Sequence, residues 1–171
     1  MGRAGLKAFV RPVTAADLDA VAGIFAWYVR HTVTTFEEIP RAAREWDELL
    51  VLLNGLGLPF LVAEADGEIA GYAYASRWRH KPAYRHTVED SVFVARDLTG
   101  RGIGRLLLGG LLTSCSAGGA RQVIAVISDS EDPASTALHK AFGFTEAGRL
   151  RQVGYKHGRW IDTVLMQRSL T

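Results

Sequence analysis

One stretch constrains this chain more than any other. The run Ser91-Val92-Phe93-Val94 is followed by a short loop, then by Gly100-Arg101-Gly102-Ile103-Gly104-Arg105, with Leu106, Leu107 and Leu111 beyond. The first segment reads as a strand, and the leucines recur at helical spacing. A strand that feeds a glycine-rich turn at a helix N-terminus is a ready anion site. The first-turn N–H groups have no intrahelical partner, and the helix dipole favours negative charge. Glycine lets the backbone approach a phosphate with no Cβ in the way, and Arg101 and Arg105 add positive charge at the mouth. Taken alone, the turn fits a tight bend with a basic rim equally well. It is not the dinucleotide fingerprint, because its glycines are spaced G-x-G-x-G rather than G-x-G-x-x-G and it falls late in the chain.

The rest of the pattern is mixed. Residues 8–11 suit a short strand, and Thr14 with Asp17 reads as a variant capping box before a helix carrying Leu18, Val21, Phe25 and Val29. Pro40 opens a second helix with Trp46, Leu49, Leu50 and Leu53 on one face, closed by Gly55 and Gly57. Residues 60–65, Asp66-Gly67 and residues 69–76 form a hairpin signature. Residues 87–94 read as a central strand, 122–127 as a buried strand, and 134–142 as a short helix ended by Gly143. The tail reads as two strands joined around His157-Gly158. The order β-α-α-β-β-β-α-β-α-β-β is a mixed α/β fold, not a βαβ array, in a single domain spanning residues 1–171.

Composition narrows the classes. A net charge of +2, with no basic stripe interleaved with aromatics, argues against nucleic acid. No apolar run has the length of a membrane span, and residues 1–10 lack the apolar centre of a signal peptide. The one cysteine, Cys115, excludes an internal disulfide and suits a reducing compartment, so a cytoplasmic protein is expected. Cys115 lies among Leu111, Leu112 and Ala117 and reads as a small buried hydrophobe, not a nucleophile. No metal site is read from the sequence.

With these motifs placed, the chain resembles the GNAT superfamily of N-acetyltransferases and, within it, the phosphinothricin and methionine sulfoximine N-acetyltransferase family. The resemblance runs from about Arg11 to Leu170. It rests on Thr34-Thr35-Phe36, Gly71-Tyr72-Ala73, Thr87-Val88-Glu89 with Ser91-Val92, and Ala134-Ser135 with Leu138-His139. Gly143-Phe144 and the ending Gln152-Val153-Gly154 to Gly158-Arg159-Trp160 with Asp162 complete it. It implies a splayed central sheet flanked by helices, with acetyl-CoA as co-substrate in the V-shaped gap. Backbone groups of Val92, Phe93 and Val94 would pair with the pantetheine arm as an added strand does. Amides of Gly100, Arg101, Gly102, Ile103, Gly104 and Arg105 would hold the pyrophosphate. Two positions depart from the pattern. Thr99 stands where Gln or Arg is usual, and Asp132 stands where the family has a cofactor-contacting Asn.

The chemistry follows from amide formation, which needs a neutral amine, an oxyanion donor and a proton for the departing thiolate. Alternation puts Val88, Asp90 and Val92 on one face of the central strand, and Glu89, Ser91 and Phe93 on the other. Glu89 matches the family's proposed catalytic glutamate and could take the ammonium proton if burial raises its pKa; without the resemblance, a strand carboxylate paired with an arginine fits as well. His139 matches a histidine proposed to assist proton transfer, and as a lone helical histidine also fits core or surface filler. The Val92 or Phe93 N–H is the expected oxyanion donor. Trp78, Arg79, Lys81 and Tyr84 are expected to read a substrate carboxylate or phosphinate, with Phe36 lining the same pocket. A solvated basic loop is the competing reading of that cluster, and a core position that of Phe36.

The expected activity is acetyl transfer from acetyl-CoA to the amine of a small amino-acid-like substrate carrying an anionic group. The family implies a homodimer, and Trp160 reads as packing. The alternatives are a CoA-binding sensor without turnover, or the same fold acting on a protein N-terminus or a polyamine. A polyamine site would want carboxylates where Arg79 and Lys81 stand.

Overall fold

The computed structural model describes residues 7–130 and 132–171. The reading of residues 1–10 as lacking a leader's apolar centre therefore lies, for residues 1–6, outside the described residues. The strands are β1 (Ala8–Pro12), β2 (Phe60–Ala65), β3 (Glu68–Arg77), β4 (Thr87–Val94), β5 (Gln122–Ser128), β6 (Thr145–Lys156) and β7 (Arg159–Ser169). The helices are α1 (Leu18–His31), α2 (Ala43–Gly55), α3 (Ile103–Ala117) and α4 (Ala134–Ala141). The strands form one sheet in the order β1-β2-β3-β4-β5-β7-β6. All pairings are antiparallel except β4 with β5. This is the expected mixed α/β architecture.

Alternation along the strands gives the sheet two apolar faces, and each is covered by helices. On one face α1 and α2 bring Val21, Phe25, Val29, Trp46 and Leu53 onto Phe60, Val62, Tyr72 and Tyr74. On the other, Leu107, Leu108 and Leu111 of α3 pack onto Ala63, Ala73, Val88, Val123 and Met166, with Leu138 of α4 at the margin. Both expected hairpins form. Asp66 and Gly67 turn at φ 51° and 84°, and His157 and Gly158 at 50° and 74°, the left-handed pair that suits a two-residue hairpin turn.

The expected capping box appears in modified form. A 3-10 turn, Ala15–Asp17, precedes α1, and Asp17 Oδ2 accepts the Thr14 N–H at 2.8 Å. Arg11 also clamps Asp17 bidentately, at 2.7 and 2.9 Å, and its Nε donates to Glu64 at 2.9 Å. The Arg11 hydrogen bond holds the Asp17 carboxyl down to about 2.

One boundary needs correction, since Pro40 does not open α2. Ala42 is the extended N-cap, with its N–H bound to Glu45 Oε2 at 2.6 Å, and the helix begins at Ala43. Glu45 supplies the cap, and Arg41 is drawn instead onto the rings of Phe25 and Trp46, at 5.2 and 5.0 Å.

Gly71 sets how closely β3 and β4 approach under α3. A Cβ there would lie 2.7 Å from Phe93 O, 3.0 Å from Leu107 Cδ1 and 3.2 Å from Val94 Cα. Two of these neighbours are backbone and cannot step aside. Gly71→Ala is expected to destabilise the protein by about 1–3 kcal/mol through overpacking, read as a lower urea midpoint at unchanged slope. An unchanged midpoint would contradict this packing.

Candidate active site

The site begins where two strands part. Parallel β4 and β5 pair only at Thr87↔Gln122, Val88↔Val123 and Glu89↔Ile124, although β4 runs on to Val94 and β5 to Ser128. Beyond Glu89, β4 stays with β3 through Gly71↔Val94, while β5 follows β7 through Ser128↔Thr163. A cleft of about 790 Å³ opens between them.

The hydrogen-bond alternation of β4 decides which backbone groups face that cleft. Thr87 O accepts Trp78 N–H and Ala95 N–H reaches Ala70 O, so odd-numbered residues turn toward β3. His86 O accepts Gln122 N–H, so even-numbered ones turn toward β5. The β3–β4 register runs without a bulge, which places the N–H and C=O of Val92 and Val94 on the open edge. Phe93 differs from the expectation. Its backbone faces β3, and its ring packs on Phe25, Tyr28 and Tyr72. Tyr28 Oη–H donates to Val94 O at 2.7 Å.

The glycine-rich turn stands at the cleft's far end. Gly102 is the N-cap of α3 at φ 86°, a conformation that other residues rarely adopt. Thr99, Gly100, Gly102, Gly104 and Arg105 line the cleft. Ile103 is buried in the core, so only its backbone is offered, and Arg101 is exposed outside the lining. The Arg105 guanidinium lies 5.6 Å from the Phe142 ring centroid. Asp132 lines the cleft too, but its Oδ1 is engaged by the Ala134 N–H, at 3.0 Å, just before α4.

Glu89 sits at the fork, lining the cleft and partly buried. Burial pushes its carboxyl above the usual range, with the Asp90 charge adding to that and Arg79 opposing it. Thr34, Thr35, Phe36, Glu37, Arg41 and Tyr74 line this end. Phe36 is held against β6, where a Cβ at Gly154 would lie 2.4 Å from its ring. Beside it, the buried Lys156 Nζ donates to Thr35 O at 2.7 Å. Arg41 lies over Phe25 and Trp46, 3.5 Å from Tyr74 Oη, and pairs with no carboxylate among the described residues.

His139 is buried on α4. Its Nε2 lies 2.8 Å from Asp90 Oδ2, its Nδ1 is 2.7 Å from Ser135 O, and its ring meets Phe144 edge-on. Cys115 is also buried, and burial pushes its thiol up to about 12.

Trp78, Arg79, Lys81 and Tyr84 are not brought into the cleft lining. They follow β3 past its last paired residue, Arg77, with the Arg79 guanidinium 4.3 Å from the Trp78 ring centroid and Tyr84 exposed in a 3-10 turn. The sequence reading missed Tyr28, Arg41, Tyr74 and Asp90. Only Asp90 carried a local signal, as a carboxylate between Val88 and Val92 on an apolar face.

The profile of the acetyltransferase (GNAT) domain matches residues 10–165. The chain is 50% identical over 161 residues to the phosphinothricin N-acetyltransferase of Alcaligenes faecalis, covering 94% of this chain and 82% of that one. It is 36% identical to the L-methionine sulfoximine/L-methionine sulfone acetyltransferase of Pseudomonas aeruginosa, covering 96% of each. Its fold superposes with a TM-score of 0.91 on a GNAT superfamily phosphinothricin acetyltransferase from Sinorhizobium meliloti, solved in complex with AcCoA. The two are 43% identical, and the match covers 95% of this chain and 88% of that one. The parted strands and the match along nearly the whole chain agree: this protein belongs to the GNAT acetyltransferase family.

Proposed function

We propose that this chain transfers the acetyl group of acetyl-CoA to the primary amine of a small amino-acid-like molecule carrying an anionic group, of the phosphinothricin, methionine sulfoximine or methionine sulfone type. The observation that carries this reading is Glu89, a carboxyl of raised proton affinity at the fork of β4 and β5, sharing its cleft with Arg41, which forms no ion pair with a carboxylate among the described residues although Glu37 lies near enough to act on its charge.

Acetyl-CoA lies in the gap with its pantetheine arm along the edge of Val92 and Val94. Its pyrophosphate meets the first-turn amides of α3, with Arg105 beside them. The Val92 N–H is aimed at the thioester oxygen and stabilises the charge that develops there. Glu89 takes a proton from the substrate ammonium, the freed amine attacks the thioester carbon, and as the C–S bond breaks the attacking nitrogen gives up its surplus proton, which neutralises the departing thiolate. Transfer is direct, because the buried Cys115 is not placed to carry an acyl group. Arg41 and Tyr74 hold the anionic end, and Phe36 walls the pocket. Arg79 acts by its field on Glu89 from outside the lining, where Trp78, Lys81 and Tyr84 also stand.

The protein works as a homodimer in a reducing, cytoplasmic setting. Supporting the first part, Leu150, Val153, Tyr155 and Trp160 of the tail hairpin are exposed together, Trp160 at 63%. Supporting the second, the sole cysteine is a free thiol, and no helix among the described residues is long and apolar enough to cross a membrane.

Glu89→Gln is expected to lower kcat by about 10²–10⁴-fold while acetyl-CoA still binds. The wild-type kcat/KM should rise with pH, because the base must be deprotonated, and its acidic limb should lie above the ordinary carboxylate range. Unchanged turnover in the variant, or no CoA release with any primary amine, would contradict the reading. Arg41→Ala is expected to raise KM for the anionic substrate by about ten- to a hundredfold, the scale of a lost charged hydrogen bond, and to leave KM for acetyl-CoA unchanged.

A further inference from the structure

Asp90 is the first residue of β4 beyond its last pair with β5, Glu89↔Ile124. Its side chain lies on the Val88 face, with a side-chain exposure of only 2%, and that of His139 is 5%. A carboxylate so far from water needs a partner. Among the described residues, the only ion pair Asp90 makes is with His139, at 2.8 Å.

The two ring nitrogens then settle the protonation by their neighbours. Ser135 O can only accept, so Nδ1, at 2.7 Å, carries a proton. A neutral ring would then offer the bare Nε2 to Asp90 Oδ2, setting two acceptors against each other. A proton must then lie between Nε2 and Oδ2. Burial works against the charged ring, but the hydrogen bond and charge of Asp90, with Ser135, outweigh it, and the proton affinity of His139 is raised. Of the other groups near the pair, Glu89 is coupled to the Asp90 charge and can itself carry charge, while the rest are neutral. Cys115, from α3, is a neutral thiol, Phe144 presents a ring edge, and Glu89 lies on the opposite face of β4.

We propose that Asp90 and His139 form a charged latch in which His139 keeps both ring protons throughout turnover. His139 is then a positioning residue that fixes α4 against β4, not a proton shuttle. Ala134, Ser135, Ala137 and Leu138 of α4 wall the gap, and Leu138 Cδ2 would lie 3.3 Å from a Cβ on Gly104, in the first turn of α3. The latch therefore ties the reacting strand to the wall that faces the thioester. It also leaves Asp90 Oδ1 buried and unpartnered at the cleft. The amide N–H groups of the pantetheine arm are donors of the kind this oxygen lacks, which makes Asp90 a contact for the co-substrate as well as an anchor for α4.

The inference rests on the acetyltransferase reading for its consequence, but not for its protonation state. Nitrogen-15 NMR of the ring-labelled full chain, with His139→Gln used for assignment, reads that state without turnover. Both His139 nitrogens should remain protonated from about pH 6 to about pH 8, where an ordinary histidine titrates. Loss of either proton in that range overturns the latch whether or not the enzyme acetylates anything. In kinetics, Asp90→Asn and His139→Gln should each raise KM for acetyl-CoA about tenfold, with kcat changed less and the acidic limb of the pH profile retained, moved toward lower pH in Asp90→Asn because the charge that helps to raise Glu89 is gone. A collapse of kcat in His139→Gln with loss of that limb would assign His139 to proton transfer. Should the variants not fold, the wild-type spectrum alone decides.

Discussion

The parting of β4 from β5 is the constraint on which the rest of the structure depends. Three residue pairs hold the two strands together, and then each follows a different neighbour. In a closed sheet the amides and carbonyls of Val92 and Val94 would be spent on a neighbouring strand. Here they form an edge inside the protein, which is costly unless something pairs with it. Tyr28 meets part of that demand at Val94 O. The two apolar faces keep the fork from closing, since α1 and α2 hold β2 and β3 on one side and α3 spans the other.

Two adjacent carboxylates at the fork have opposite fates because a strand alternates. Glu89 turns to the α1 and α2 side, where the cleft reaches it and burial raises its proton affinity. Asp90 turns to the α3 and α4 side, is almost fully enclosed, and is bound to His139. One meets the cleft, and the other is bound to the His139 ring. The Asp90 charge further raises the proton affinity of Glu89, so the pair is coupled through the strand as well as divided by it.

Much of the fold was legible because its determinants are local. Asp66-Gly67 and His157-Gly158 specify hairpin turns within two residues, and the leucines of α3 specify a buried helix by spacing alone. The start of α2 was not legible, because Arg41 is taken into an aromatic site built from Phe25 and Trp46, which only the tertiary fold brings together. The same distance effect separates the cations chosen from the sequence from one that lines the cleft. Arg79 and Lys81 are close to Glu89 in sequence, yet they continue past the paired end of β3, whereas Arg41 reaches the cleft from a loop much earlier in the chain. The glycine turn sits on a segment whose local form implies an anion site, whereas Glu89 was singled out by the family resemblance, since its strand position alone fits a carboxylate paired with an arginine as well. Asp90 stood out on an apolar strand face, but its partner lies 49 residues away, and no spacing rule connects the two.

Amide hydrogen exchange along β4, with and without acetyl-CoA, tests the central claim most directly. The account predicts that acetyl-CoA slows exchange at Val92 and Val94, whose N–H groups lie on the open edge. Phe93, already turned toward β3, should change little. Protection that spares Val92 and Val94, or falls equally on Phe93, would show that the co-substrate does not bind as an added strand in this gap.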